Sequence, residues 1–344
     1  MKNFIGYTKG INLGGWLSQC IHTKEHYDSF ILENDIKIIK SWGADHIRLP
    51  LDYELFETED GHYKEEGFSY VNKAIEWCDK YGLNLILDLH KTAGYDFSNQ
   101  NNSYAFFESK PLQKRFIALW MELSKRYGKY HKRISFELLN EVVPPNVSDK
   151  WNQIVRNTIS EIRSVAPETF ILIGGVSYNC VSSVKHLEMP YDSKIVYNFH
   201  FYGPKVFTHQ AACWMSDLIP SDFHIPYPYD LKAYKSATAA FLPEEADLKL
   251  FDDKRLTELN TLYFELMFEE AISIAETRDV PLYCGEYGVI QNADVTSTLK
   301  WYRDIHKVFE KYDIGRAVWT YKRIDFGITD EHYSPIFDEL ITLL

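Results

Sequence analysis

Two glutamates, far apart in the chain, stand where proton transfer and nucleophilic attack could both be arranged. Glu141 follows an apolar run in FELLNEVVPP (136–145), beside Asn140, and two prolines then forbid further regular structure. Glu286 stands in a second apolar run, VPLYCGEYG (280–288). One carboxylic acid can protonate a departing oxygen while a second carboxylate attacks the carbon being left, or activates a water. Cleavage of a glycosidic bond needs such a pair. A separation of about 5–5.5 Å gives retention at that carbon, and one of about 6.5–9.5 Å gives inversion. A lone glutamate at the end of a strand is more often a structural ion pair, so the company of these two has to decide.

That company is polar and lies at similar places. Arg48 in ADHIRLP, His90 in LNLILDLH, His200 and Tyr202 in KIVYNFHFY, and Trp319 in GRAVWTY each stand near the end of a β-rich run. Arg48 and the Tyr202 hydroxyl suit holding Glu286 ionised by charge and hydrogen bond. Glu141 as an acid requires a setting where burial and nearby negative charge disfavour ionisation. Asn140 could bind a sugar 2-hydroxyl, His90 and His200 could supply further hydrogen bonds, and Trp319 could floor the ring. Taken singly, a strand-end histidine is more often structural.

Something must bring these residues together. Short β-rich runs fall at 10–15, 44–50, 83–90, 133–141, 169–175, 194–202, 280–288 and 315–321. Most are continuously apolar, as in strands covered on both faces. Amphipathic helical patterns lie between them at 33–42, 69–81, 111–127, 150–165, 256–277 and 295–312, with a short helix after the fifth run. Strand and helix alternating eight times predict an α/β fold, the closed parallel (β/α)8 barrel, as a single domain. An open doubly wound sheet is disfavoured because GINLGGW lacks the G-x-G-x-x-G phosphate loop. The C-terminal strand ends of such a barrel face one mouth, so the polar list converges. The rhythm breaks at about 203–255, aromatic and proline-rich, which reads as a small subdomain inserted after strand 6 and walling the groove.

Composition narrows the partners. A formal charge of −12 disfavours nucleic acid, whose phosphates call for a basic surface. No run is long and apolar enough to predict a membrane span. Five cysteines without CxxC spacing read as free thiols in a reducing compartment. With no signal peptide in the N-terminal stretch, a cytoplasmic location is expected, or an extracellular one if a leader has been removed. The 24 Tyr, 21 Phe and 8 Trp suit a ring-rich core, or a groove with platforms for sugar faces. The sequons at 101–103 and 146–148 are read as loop residues.

Two rival readings are weaker. His22-Thr-Lys-Glu25-His26 matches the H-x-x-E-H zinc pattern, which must lie within a helix; here it precedes the first confident helix, and no metal or cofactor is expected. A non-catalytic carbohydrate-binding protein would show platforms without two placed carboxylates.

The motifs INLGGW, HIRLP, LDLH, FELLNE, YNFHFY, CGEYG and AVWTY, in order over essentially the whole chain, resemble those of glycoside hydrolase family 5, the retaining barrel cellulases. KEHYDSFI and FTHQAACW make the chain most similar to small single-domain endoglucanases. The resemblance implies Glu141 as acid/base, Glu286 as nucleophile, β-1,4 or mixed β-1,3-1,4 glucan as substrate, a monomer, no metal, and Trp214 lining the cleft. Mannanase, exo-glucosidase and transglycosylase activities remain alternatives on the same scaffold. One departure stands out: many relatives carry a second histidine after the one ending strand 3, where this chain has Lys91.

Overall fold

A computed structural model describes residues 1–99 and 104–344; the sequon at 101–103 lies outside them. Eight parallel strands close in chain order: β1 (Lys9–Asn12), β2 (His46–Asp52), β3 (Asn84–Lys91), β4 (Ile134–Glu137), β5 (Ile171–Gly174), β6 (Ile195–Phe201), β7 (Leu282–Tyr287) and β8 (Gly315–Val318). β8 returns to β1 with Gly10 opposite Ala317, which seals the barrel. The strand residues are almost all buried because helices cover the outer face and side chains fill the inside. At the N-terminal end Ile86, Leu172, Val196, Tyr283 and Ala317 form an apolar layer, plugged by Phe4 and Tyr7.

The helices begin where the chain can cap them. Ser109 accepts from Leu112 N ahead of Lys110–Tyr127, and Asp294 accepts from Ser297 N (2.8 Å) ahead of Val295–Tyr312. The pattern read as starting at 256 begins instead at Thr261, because Asn260 Oδ1 takes Leu262 N (2.8 Å) and sets the cap there. The helix expected from 69 starts four residues earlier, at Glu65. It includes Gly67, where a Cβ would lie 1.9 Å from the Leu55 carbonyl oxygen, so only glycine allows this close approach.

The stretch at about 203–255, where the strand–helix rhythm breaks, holds helical structure of its own. An eleven-residue helix, Leu231–Phe241, forms there, capped by Asp230 on Ala233 N (2.9 Å). The H-x-x-E-H pattern divides: Thr23 caps the helix Lys24–Ser29, leaving His22 outside while His26 Nε2 turns to the Gly15 carbonyl (2.7 Å). Three site residues also sit differently from a strand-end reading. Arg48 lies inside β2, and Asn140 and Glu141 lie beyond the end of β4.

Candidate active site

Arg48 is the hub of the mouth. Its inward position on β2 leaves the guanidinium wholly buried, and such a charge requires partners. Nε and Nη2 donate to the two oxygens of Glu137 (2.7 and 2.8 Å), Nη1 to Glu286 Oε1 (2.8 Å) and Asn12 Oδ1 (2.9 Å), and Nη2 to Asn140 Oδ1 (2.9 Å). Asp88 Oδ2 stands 3.0 Å from Nη2. A rigid planar fork of this kind can satisfy several carboxylates at fixed angles, which an ammonium cannot.

Glu286, near the end of β7, is held from both sides. Arg48 takes Oε1, and the Tyr202 hydroxyl donates to Oε2 (2.9 Å). Tyr202 immediately follows β6, and burial together with Glu286 holds its hydroxyl far above the usual phenol range. Glu141 faces this pair with its side chain 13% exposed. Burial pushes the Glu141 carboxyl up to about 7, against the opposing charges of Lys205 and Arg48. His200 Nδ1 lies between the two acids, 3.0 Å from Glu141 Oε1 and 3.6 Å from Glu286 Oε2. An oxygen of each glutamate falls within 4.8 Å of the other's.

The remaining candidates surround this pair. His90 Nδ1 binds Asp88 Oδ2 (2.5 Å), and burial lowers the imidazole to about 4, so the ring is neutral near pH 7. Burial likewise brings His200 down to about 4. Trp319 stacks on His90 with ring centroids 5.6 Å apart and planes 4° from parallel. The Trp319 ring lies against Gly14, where a Cβ would come within 2.7 Å of it. Asn140 is buried, and its Nδ2 finds no partner among the described residues. Trp214 is farther out, 52% exposed on a turn after β6, against His209 (6.1 Å) and Phe326 (6.3 Å).

All nine sequence candidates therefore line or border one mouth. Four partners were not anticipated: Asn12, Asp88, Glu137 and Asn198. Asn198 Nδ2 donates to Glu137 Oε1 (2.7 Å), while its Oδ1 accepts Gly285 N (3.0 Å). The available signal was a charged or amide residue inside a largely apolar strand covered on both faces, as Asp88 and Asn198 are, or closing one, as Asn12 and Glu137 do. Such a residue must point along the barrel axis and find a counter-charge there. A second acidic group, His22 with Asp52 and Glu54, brings ligand-type atoms within 4.8 Å. The Asp52 carboxylate is already taken by Ser18 Oγ (2.7 Å) and Gln19 N (2.9 Å), with Lys91 Nζ 4.0 Å away.

A barrel with two facing carboxylates at the C-terminal ends of β4 and β7 defines a glycoside hydrolase acting on O-glycosyl bonds. The model of the cellulase family (glycosyl hydrolase family 5) matches residues 8–324, and the chain belongs to that family. It is 40% identical to endoglucanase C of Acetivibrio thermocellus over 343 residues, 99% of this chain and 98% of that one. It is 43% identical to cellodextrinase A of Ruminococcus flavefaciens over 311 residues, 90% of this chain and 84% of the other. Among solved structures, endoglucanase Cel5A from the hyperthermophilic Thermotoga maritima shares the fold with a TM-score of 0.76 at 23% identity, covering 98% and 97% of the two chains.

Proposed function

We propose that the protein is a retaining endo-β-glucanase that cleaves β-1,4 or mixed β-1,3-1,4 glucan by double displacement. The observation that carries this reading is the close facing of the two carboxylates, one oxygen of each within 4.8 Å of the other's, which suits direct attack and a covalent glycosyl intermediate. Glu286 is the nucleophile: Arg48 and Tyr202 hold one oxygen each and fix the orientation of the carboxylate. Glu141 is the acid/base, since a carboxyl raised to about 7 keeps a large protonated share near neutral pH and in that form can give its proton to the leaving oxygen.

Attack by Glu286 forms the bond from its oxygen to the anomeric carbon as the bond to the leaving oxygen breaks. Glu141, now ionised, then takes a proton from a water that attacks the same carbon and releases Glu286. The orphaned Asn140 amide is supplied by the sugar 2-hydroxyl, a contact that strengthens in the transition state. Trp319 offers a face beneath the ring, and neutral His90 and His200 exchange hydrogen bonds without adding charge.

The similarity to endoglucanase C supports an endo-acting glucanase, and that to cellodextrinase A supports activity on short oligosaccharides. A 2-deoxy-2-fluoro glycosyl inactivator based on cellobiose should label Glu286, read by peptide mass spectrometry. Labelling of another residue, or none while turnover continues, refutes the assignment.

A further inference from the structure

Past Trp319 the backbone enters a strained turn. Arg323, Ile324, Asp325 and Phe326 all hold positive φ, at 56, 43, 59 and 58°. L-residues avoid this region because Cβ crowds the following carbonyl, and a β-branched residue such as Ile324 is an outlier there. No other described stretch holds four such residues in a row. A turn of this kind persists only where its surroundings over-determine it.

Two side chains do so. Asp330 accepts Arg323 N with both carboxylate oxygens (3.1 and 3.2 Å). Gln291 takes the other end: Oε1 accepts Phe326 N (3.0 Å) while Nε2 donates to Asp325 Oδ1 (2.5 Å). The residues flanking Gln291 reach the opposite way. Ile290 N donates to the Thr208 carbonyl (3.0 Å), and Asn292 Nδ2 to that of Ala211 (2.9 Å). Three consecutive residues after β7 thus clamp the turn after β8 on one side and the segment after β6 on the other.

What the clamp fixes is Phe326. This ring is 4% exposed and touches Tyr202 (5.5 Å), His209 (5.3 Å) and the outward Trp214 (6.3 Å). Tyr202 has other anchors, since its hydroxyl is on Glu286 and its carbonyl accepts the Thr208 hydroxyl. Trp214 is half exposed, and its described ring contacts are His209 and Phe326.

We propose that Gln291 is a positioning residue for long substrates: by locking the left-handed turn it fixes Phe326 behind Trp214, and so sets the grip of the cleft on sugars beyond those flanking the cleaved bond. The inference rests on the glycosidase reading above. Gln291 touches no reacting group, so its effect belongs in KM for long chains and not in the chemistry on short ones.

The test compares cellohexaose with an aryl β-cellobioside. Gln291→Glu sets a carboxylate against Asp325 and loses the donor half of the clamp. It should raise KM for cellohexaose about five- to tenfold, less than the full value of a hydrogen bond to a charged acceptor because the bond acts on the cleft only through Phe326, with kcat on the aryl glycoside within about twofold. The exchange Gln291→Glu with Asp325→Asn restores one donor and one acceptor in reversed order, and should return KM to within about twofold of wild type. An unchanged cellohexaose KM in the single variant, failure of the exchange to restore it, or an equal loss of kcat on both substrates overturns the proposal. A wild-type protein inert on both substrates would instead refute the glycosidase reading, and the inference with it.

Discussion

Replacing Glu137 by glutamine changes one atom's identity and no volume, yet the surroundings leave the amide no acceptable orientation. Glu137 Oε1 accepts from both Arg48 Nη2 (2.8 Å) and Asn198 Nδ2 (2.7 Å), and Oε2 accepts from Arg48 Nε (2.7 Å). A glutamine can put its oxygen at one of these positions only, and its NH2 then faces a donor whichever way it is turned. Asn198 cannot flip to relieve the clash without surrendering its bond from Gly285 N (3.0 Å). The variant therefore loses one or two charge-assisted hydrogen bonds, worth about 1.5–3 kcal/mol each, and weakens the compensation of a wholly buried guanidinium. Breaking such a buried pair typically costs about 3–5 kcal/mol.

Glu137→Gln should thus lower unfolding free energy by roughly 3–5 kcal/mol, measured as a fall in denaturant midpoint at unchanged m-value. Because the same Arg48 fork holds Glu286 and Asn140, kcat should fall as well, by about ten- to a hundredfold if one charge-assisted bond to the site is lost. A variant within about 1 kcal/mol of wild type would refute the argument that the barrel interior depends on this charge balance.

Two further outcomes follow from the acids. Burial raises Glu141 from 4.5 to about 7, so the rate should fall as pH climbs through about 7. By the same linkage Glu141 contributes stability that is full below about 4.5 and is lost as pH rises through about 7, a difference of about 3 kcal/mol. Glu141→Gln should therefore be more stable than wild type at pH 8 while losing activity on unactivated glucan, and thermal melts at pH 4 and 8 showing no such crossover would count against it. Tyr202→Phe removes the 2.9 Å bond to Glu286 Oε2 and should cost about ten- to a hundredfold in kcat for the charge-assisted hydrogen bond lost; single-turnover kinetics with unaltered glycosylation would contradict the role given to the hydroxyl.

The sequence by itself determined the architecture and singled out two candidate acids. Near-continuous apolar runs of strand length, separated by amphipathic stretches, admit few arrangements other than a parallel sheet covered on both faces. Glu141 and Glu286 stood out because each interrupts or ends such a run. Helix starts at Glu65 and Thr261 were less legible: the first depends on the approach of Gly67 to Leu55, the second on which of several polar residues caps. Only closure of the barrel decided that Arg48, inside β2, would be shared by Glu137, Glu286 and Asp88, residues from three other strands. Only the packing of three loops decided that Gln291 would hold the turn behind Trp214. Periodicity records which face a residue occupies, because that is a local property of the backbone. The partner an interior charge finds depends on strand order and register, and those are fixed when distant segments meet.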